Sequence, residues 1–75
     1  MSVVTVLEQK WVGRFARNLA TVMDDNDVTP AELAFRSGVS RVTIHRYLNA
    51  ERSPKAYHVR LLADGLGVPY EFLMD

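Results

Sequence analysis

The chain is expected to fold as an all-α, compact bundle of about five short helices, and three observations point that way. Apolar residues recur at spacings of three and four along most of the 75 residues, the repeat of helices buried along one face. Residues that start and stop helices fall between those stretches. No stretch outside residues 3–7 has the β-branched character of a strand. At this length folding buries only roughly 60% of the unfolded surface, so one core must serve the whole chain. The 48% hydrophobic content is enough to build it. No repeat or Gly/Ser/Pro-rich linker divides the sequence. Residues 10–75 are therefore expected to be a single domain, preceded by a segment 1–9 whose structure the sequence leaves undecided.

The first helix is expected over residues 10–23, where Trp11, Val12, Phe15, Ala16, Leu19, Val22 and Met23 share a face. The polar run Asp24-Asp25-Asn26-Asp27 ends it. Thr29-Pro30-Ala31-Glu32 has the form of a capping box with proline at the first helical position, which starts a second helix ending at Gly38. Ser40 caps a third, with Ile44, Tyr47 and Leu48 turned inward. On that basis Leu48→Asp should unfold the domain. A fourth helix over residues 56–66 buries Val59, Leu62, Ala63 and Leu66 and stops at Gly65-Leu66-Gly67. Pro69 starts a short last helix through Phe72 and Leu73. Residues 3–7 remain open between a helix extension, an edge strand and a strand added to a partner.

Net charge is zero, yet it is unevenly placed. Residues 36–60 carry Arg36, Arg41, Arg46, Arg52, Lys55 and Arg60 against Glu51 alone, while both flanks are acidic. A basic middle on a neutral chain is the pattern of a local nucleic-acid footprint, with a solvated charged face as the plain alternative.

Two short helices joined at Gly38-Val39-Ser40, with glycine at the corner, make a helix-turn-helix arrangement over residues 30–49. The stretch from Pro30-Ala31-Glu32-Leu33-Ala34-Phe35 through Gly38-Val39-Ser40 to Tyr47-Leu48-Asn49 resembles the motif of lambda-repressor-like, or Xre-type, DNA-binding domains. Glu51-Arg52-Ser53-Pro54 and Leu62-Ala63-Asp64-Gly65-Leu66-Gly67-Val68 extend the resemblance, which covers about residues 10–74. It implies that Ala34, Gly38, Val39, Ile44 and Tyr47 set the angle between the two motif helices.

The expected chemistry follows from the outward face of the third helix. Val42, His45, Arg46 and Asn49 form one stripe, with Arg41 beside it. A helix fits the ~12 Å major groove, where arginine pairs with guanine, asparagine with adenine, and an apolar group meets a thymine methyl. Arg41, Val42, His45, Arg46 and Asn49 are the expected base readers. Ser40, Thr43, Arg52, Ser53, Lys55 and Tyr57, at or beyond the helix ends, are the expected phosphate contacts.

The sequence departs from the family pattern at three positions. Pro30 stands where many members have a glutamine that contacts phosphate, which leaves anchoring to the main chain at that helix start. Ala50 replaces the usual glycine after the recognition helix. Phe35 replaces a polar residue and is expected either to be buried against residues 3–7 of its own chain or, with Tyr70, Phe72 and Met74 of the last helix, to contact a second subunit or another protein.

Other functions find little support. Without cysteine there is no thiolate zinc site or thiol nucleophile, and His45 and His58 alone give no ligand set. No nucleophile elbow, signal segment or membrane-length apolar run is present in the sequence. The expected protein is a non-enzymatic, cytoplasmic regulator, nucleoid-associated when bound, that takes a double-stranded DNA operator as its partner. It should need no cofactor, metal, small-molecule substrate or membrane. A homodimer would use the last helix or the N-terminal segment. The competing reading is a helix-turn-helix interaction module such as an antitoxin, adaptor or accessory subunit.

Overall fold

The computed structural model describes residues 3–75. Among them are five α-helices and no strand: α1 Val3–Asp25, α2 Pro30–Ser37, α3 Arg41–Leu48, α4 Ala56–Leu66 and α5 Glu71–Met74. The core is continuous. Phe15, Leu19, Leu33, Ile44, Leu62 and Leu73 are fully buried, and they come from all five helices. Helix α1 packs on α3 and α5, whereas α2 packs on α3 and α4.

Helix α1 starts seven residues before the expected residue 10 and takes in residues 3–9, while residues 1–2 of the N-terminal segment lie outside the described residues. Neither proline nor glycine interrupts residues 3–10, so a helix anchored from Trp11 onward extends toward the N-terminus at low cost, since only the first turn is hard to nucleate. Residues 5–10 are all exposed. At 23 residues the helix is about 34 Å long, which sets the longest dimension of the molecule, 37 Å.

Four helix ends show how the sequence stops its helices. After α1, Val28 N–H donates to the Met23 carbonyl at 2.9 Å and Asp27 N–H to Asp24 at 3.2 Å, with Asp27 at φ 53°. After α4, Val68 and Gly67 repeat that pair of bonds to Ala63 and Asp64. Gly38 closes α2 at φ 78°, its N–H donating to the Ala34 carbonyl. After α3, Glu51 N–H donates to Arg46 and Ala50 N–H to Tyr47, but the left-handed position is taken by Ala50 at φ 56°. The substitution of alanine for glycine therefore neither lengthens the helix nor changes how it ends. It leaves the same motif with strain in it.

Helix α4 spans the expected 56–66 and is closed by Gly67 at φ 70°, and two further details differ from the sequence reading. Gly65, in the last turn of α4, serves packing rather than the cap: a Cβ there would come within 3.1 Å of Ser37 Cβ and 3.2 Å of Ser37 N. Its role is to let α2 and α4 approach closely. Helix α5 begins at Glu71, since Pro69 and Tyr70 form the turn that leads into it. Leu48 is only half-buried at the rim of α3, so its change to aspartate should cost less than the same change at Ile44, which is fully buried.

Two outcomes follow for thermal unfolding. Ala50→Gly removes a left-handed cost of ~1–2 kcal/mol and returns part of it as glycine's greater freedom in the unfolded chain. A rise in Tm of a few degrees is expected, and a fall would show that Ala50 is unstrained. Gly65→Ala should lower Tm despite alanine's better helix propensity of ~1 kcal/mol, because overpacking the α2–α4 contact costs ~1–3 kcal/mol. A higher Tm would mean that the two helices can move apart freely.

Candidate nucleic-acid interface

The site is built from α2, the turn and α3. Thr29 Oγ1 accepts the Glu32 N–H at 3.2 Å, and the Thr29 N–H and hydroxyl both donate to Glu32 Oε1, which completes the capping box. An ion pair between Arg36 and Glu32 at 3.7 Å runs along the exposed side of α2. The box has a consequence for phosphate docking: the Glu32 carboxylate stands at the helix start where main-chain anchoring was expected. In the turn, the buried Ser37 Oγ accepts the Val39 N–H at 3.1 Å, so the chain leaves α2 without an orphaned donor. Ser40 Oγ accepts the Thr43 N–H at 3.1 Å and donates to Thr43 Oγ1 at 2.8 Å.

Burial of Val39, Ile44 and Tyr47 fixes which way α3 faces. Ala34 is half-buried beside them and Gly38 is exposed at the corner. The opposite face carries Arg41, Val42, His45, Arg46 and Asn49, all of them exposed, with Val42 at 60%. Among the described residues, no ion pair or side-chain hydrogen bond engages these five. Two cations and two hydrogen-bonding groups are thus presented to solvent from eight residues of helix and its cap.

The expected phosphate contacts lie around this stripe. Arg52, Ser53, Lys55 and Tyr57 are exposed after α3, and Tyr57 is 59% exposed with its ring 4.4 Å from that of His58. Ser40 and Thr43 sit at the N-terminal end, but their hydroxyls are already engaged in the cap, and Thr43 is half-buried. The Ser40 proton is spent on Thr43, so the Thr43 hydroxyl proton is the donor these two have left for a phosphate.

The candidate partner contacts separate. Phe35 is 92% exposed on the side of α2 turned away from α4. Phe72 is exposed on α5, which packs on α1 and α4 instead. Tyr70 and Met74 are half-buried against the core, and the Arg60 guanidinium lies 5.7 Å over the Tyr70 ring. These two also pack on the core, whereas Phe35 on α2 and Phe72 on α5 are exposed.

One cluster was not foreseen. Tyr47, 2% exposed, reaches beneath α3 so that its hydroxyl lies 2.6 Å from His58 Nδ1 on α4, and the Lys55 N–H donates to the same oxygen at 3.4 Å. The Tyr47 oxygen accepts from Lys55 and shares one further hydrogen bond with Nδ1, whose direction is set by the His58 tautomer. Burial, and then the neighbouring Lys55 charge, hold the His58 imidazole below its ordinary 6.5. Tyrosine spaced 11 residues before histidine carries no sequence signal, because only the fold brings them together.

Capped short helices, a left-handed glycine corner, and an outward cationic face on the second helix define a helix-turn-helix domain. The helix-turn-helix family model matches residues 19–73, and the chain belongs to this lambda-repressor-like family. The match begins inside α1 and leaves residues 3–18 of that helix outside. The chain is also 38% identical over 61 residues to the HTH-type transcriptional repressor RghR of Bacillus subtilis (strain 168), a match covering 80% of this chain and 45% of that protein. This chain therefore spans less than half the length of that relative. No solved structure gives a significant match. Among the described residues, no helix is long and apolar enough to cross a membrane, and no three His, Asp or Glu side chains gather as a metal site would need.

The lowered His58 value has a measurable consequence. The folded state favours neutral imidazole, so as pH falls below 6.5 the unfolded chain takes up the proton first. Stability should be full above 6.5, decline below it, and level off once pH passes the folded value. His58→Asn, which keeps an acceptor at the Nδ1 position but does not titrate, should lose that decline. An unchanged profile in the variant would assign the pH dependence to other groups.

Proposed function

We propose that this chain is a sequence-selective double-stranded DNA-binding transcription regulator that reads the major groove with α3 and represses by occupying an operator. It acts in the manner of small Cro-type regulators of bacteria or phages, in the cytoplasm and on the nucleoid. The observation that carries the reading is the outward stripe of α3: Arg41, Val42, His45, Arg46 and Asn49, exposed together and free of internal partners. The stripe lies on the outward face of the second helix of the motif, the helix that enters the groove in helix-turn-helix proteins.

In this reading Arg46 and Arg41 donate two hydrogen bonds each to guanine, and Asn49 pairs with adenine. Val42 packs on a thymine methyl, while His45 bonds a base edge or a phosphate. Arg52, Ser53, Lys55 and Tyr57 hold backbone phosphates and set the register, with Ser40 and Thr43 at the other end. One such helix covers few base pairs, so a homodimer reading half-sites about one helical turn apart supplies the affinity. The repressor named among the relatives supports this direction of regulation. No cofactor, metal or small-molecule substrate enters the scheme. The second reading, an interaction module, draws on Phe35, whose 92% exposure is unusual for a phenylalanine.

The test compares two substitutions on duplexes of defined and random sequence. Arg46→Ala should cost ~1–3 kcal/mol on the preferred duplex and relax the preference at one position. Lys55→Ala should weaken all duplexes about equally and reduce the salt slope by about one. Equal losses on preferred and random DNA for both variants would remove Arg46 from the base readers.

A further inference from the structure

We propose that the Tyr47 hydroxyl, held by His58 and the Lys55 N–H, is a latch that keeps the base-reading face of α3 and the phosphate-contacting start of α4 in one register. The proposal rests on the DNA-binding reading above and names positioning residues that it does not contain. Base contacts come from α3, but the cations that meet the backbone come from the segment after it and from the beginning of α4. Something must fix the distance between the two.

Helix α2 packs on both α3 and α4 and sets their overall placement, but α3 and α4 share no extensive interface of their own, so nothing in that packing holds the end of α3 directly to the start of α4. Residues 49–55 between them form no regular structure, and the left-handed Ala50 and Pro54 redirect the chain within them. Lys55 stands at the N-cap of α4 with no side-chain cap bond. Its N–H instead donates to Tyr47 Oη, and the same hydroxyl is hydrogen-bonded to His58 Nδ1 at 2.6 Å, one turn into α4.

Packing makes the latch stiff. The Tyr47 ring meets Phe15 of α1 edge-on, with centroids 5.7 Å apart, and the His58 ring lies between Tyr47 and Tyr57. The path therefore runs from the α1 core through α3 to Tyr57 on the surface of α4. Three of its members, Lys55, Tyr57 and the helix that carries Tyr47, are parts of the proposed interface. A hydrogen bond to a base or phosphate weakens steeply with small displacements, so losing the latch should blur the register without unfolding the chain.

The experiment uses the full chain, a duplex enriched from a random pool, and a random duplex of equal length, titrated over a range of salt. Tyr47→Phe and His58→Leu should keep their helical content by circular dichroism and lose about three- to tenfold in affinity for the enriched duplex, the equivalent of one hydrogen bond. The loss on random DNA should be smaller, and the salt slope on the enriched duplex should fall by up to about one as Lys55 drifts from its phosphate. The double variant should be no worse than the weaker single, and His58→Asn should restore wild-type behaviour.

A folded Tyr47→Phe with the wild-type preference and salt slope overturns the latch, as does His58→Asn behaving like His58→Leu. Should Tyr47→Phe lose its fold, the two His58 variants decide the matter. A wild-type chain that prefers no duplex overturns the DNA-binding reading and the latch with it, whereas a selective wild type with indifferent variants overturns the latch alone.

Discussion

Burial of the inner face of α3 is the constraint on which the rest of this structure depends. Eight residues are too few for a stable helix in water, so α3 forms because Ile44 and Tyr47 have somewhere to go. Tyr47 packs edge-on to Phe15, and both Ile44 and Tyr47 enter the core that all five helices share. That burial also decides orientation. With Ile44 and Tyr47 inside, Arg41, Val42, His45, Arg46 and Asn49 are outside as a geometric necessity. The turn contributes the angle: Gly38 at φ 78° reverses the chain, Ser37 Oγ satisfies the Val39 N–H, and Val39 seals the corner. Gly65 contributes the depth, because its missing side chain lets α4 close over α2.

Much of this was legible in the residues. Local chemistry is written locally: the capping box at Thr29, the glycine corner and the Ser40 cap each lie within a few residues, and each appears where it was expected. The apolar spacing likewise gave the inner faces of α1, α3 and α4. The outward stripe of α3 is the complement of a buried face, so it could be read in advance from the same spacing.

What could not be read depends on distant contacts or on propagation. Nothing marks residues 3–9 as helical except continuity with an anchored helix, and β-branched residues there suit a strand as well. Gly65-Leu66-Gly67 resembles a helix stop, and only the approach of Ser37 separates the packing glycine from the capping one. Tyr70 and Met74 look like surface residues of a short helix until α5 docks on α1, where the Asn18 side chain donates to the Leu73 carbonyl at 3.1 Å. The Tyr47–His58 bond joins two elements that touch little elsewhere. The roles of the stripe residues at DNA lie beyond the chain itself, since they concern what α3 meets.

The central claim is that α3 selects a sequence, and selection of bound duplexes from a random DNA pool at two salt concentrations tests it without a known target. A short motif enriched at both salts is the expected result, two-fold symmetric if the chain acts as a dimer, with its half-site spacing then given directly. Recovery that is salt-dependent but carries no enriched motif at either concentration would contradict the claim. The helix-turn-helix would then be a scaffold for protein contacts, with Phe35 at their centre.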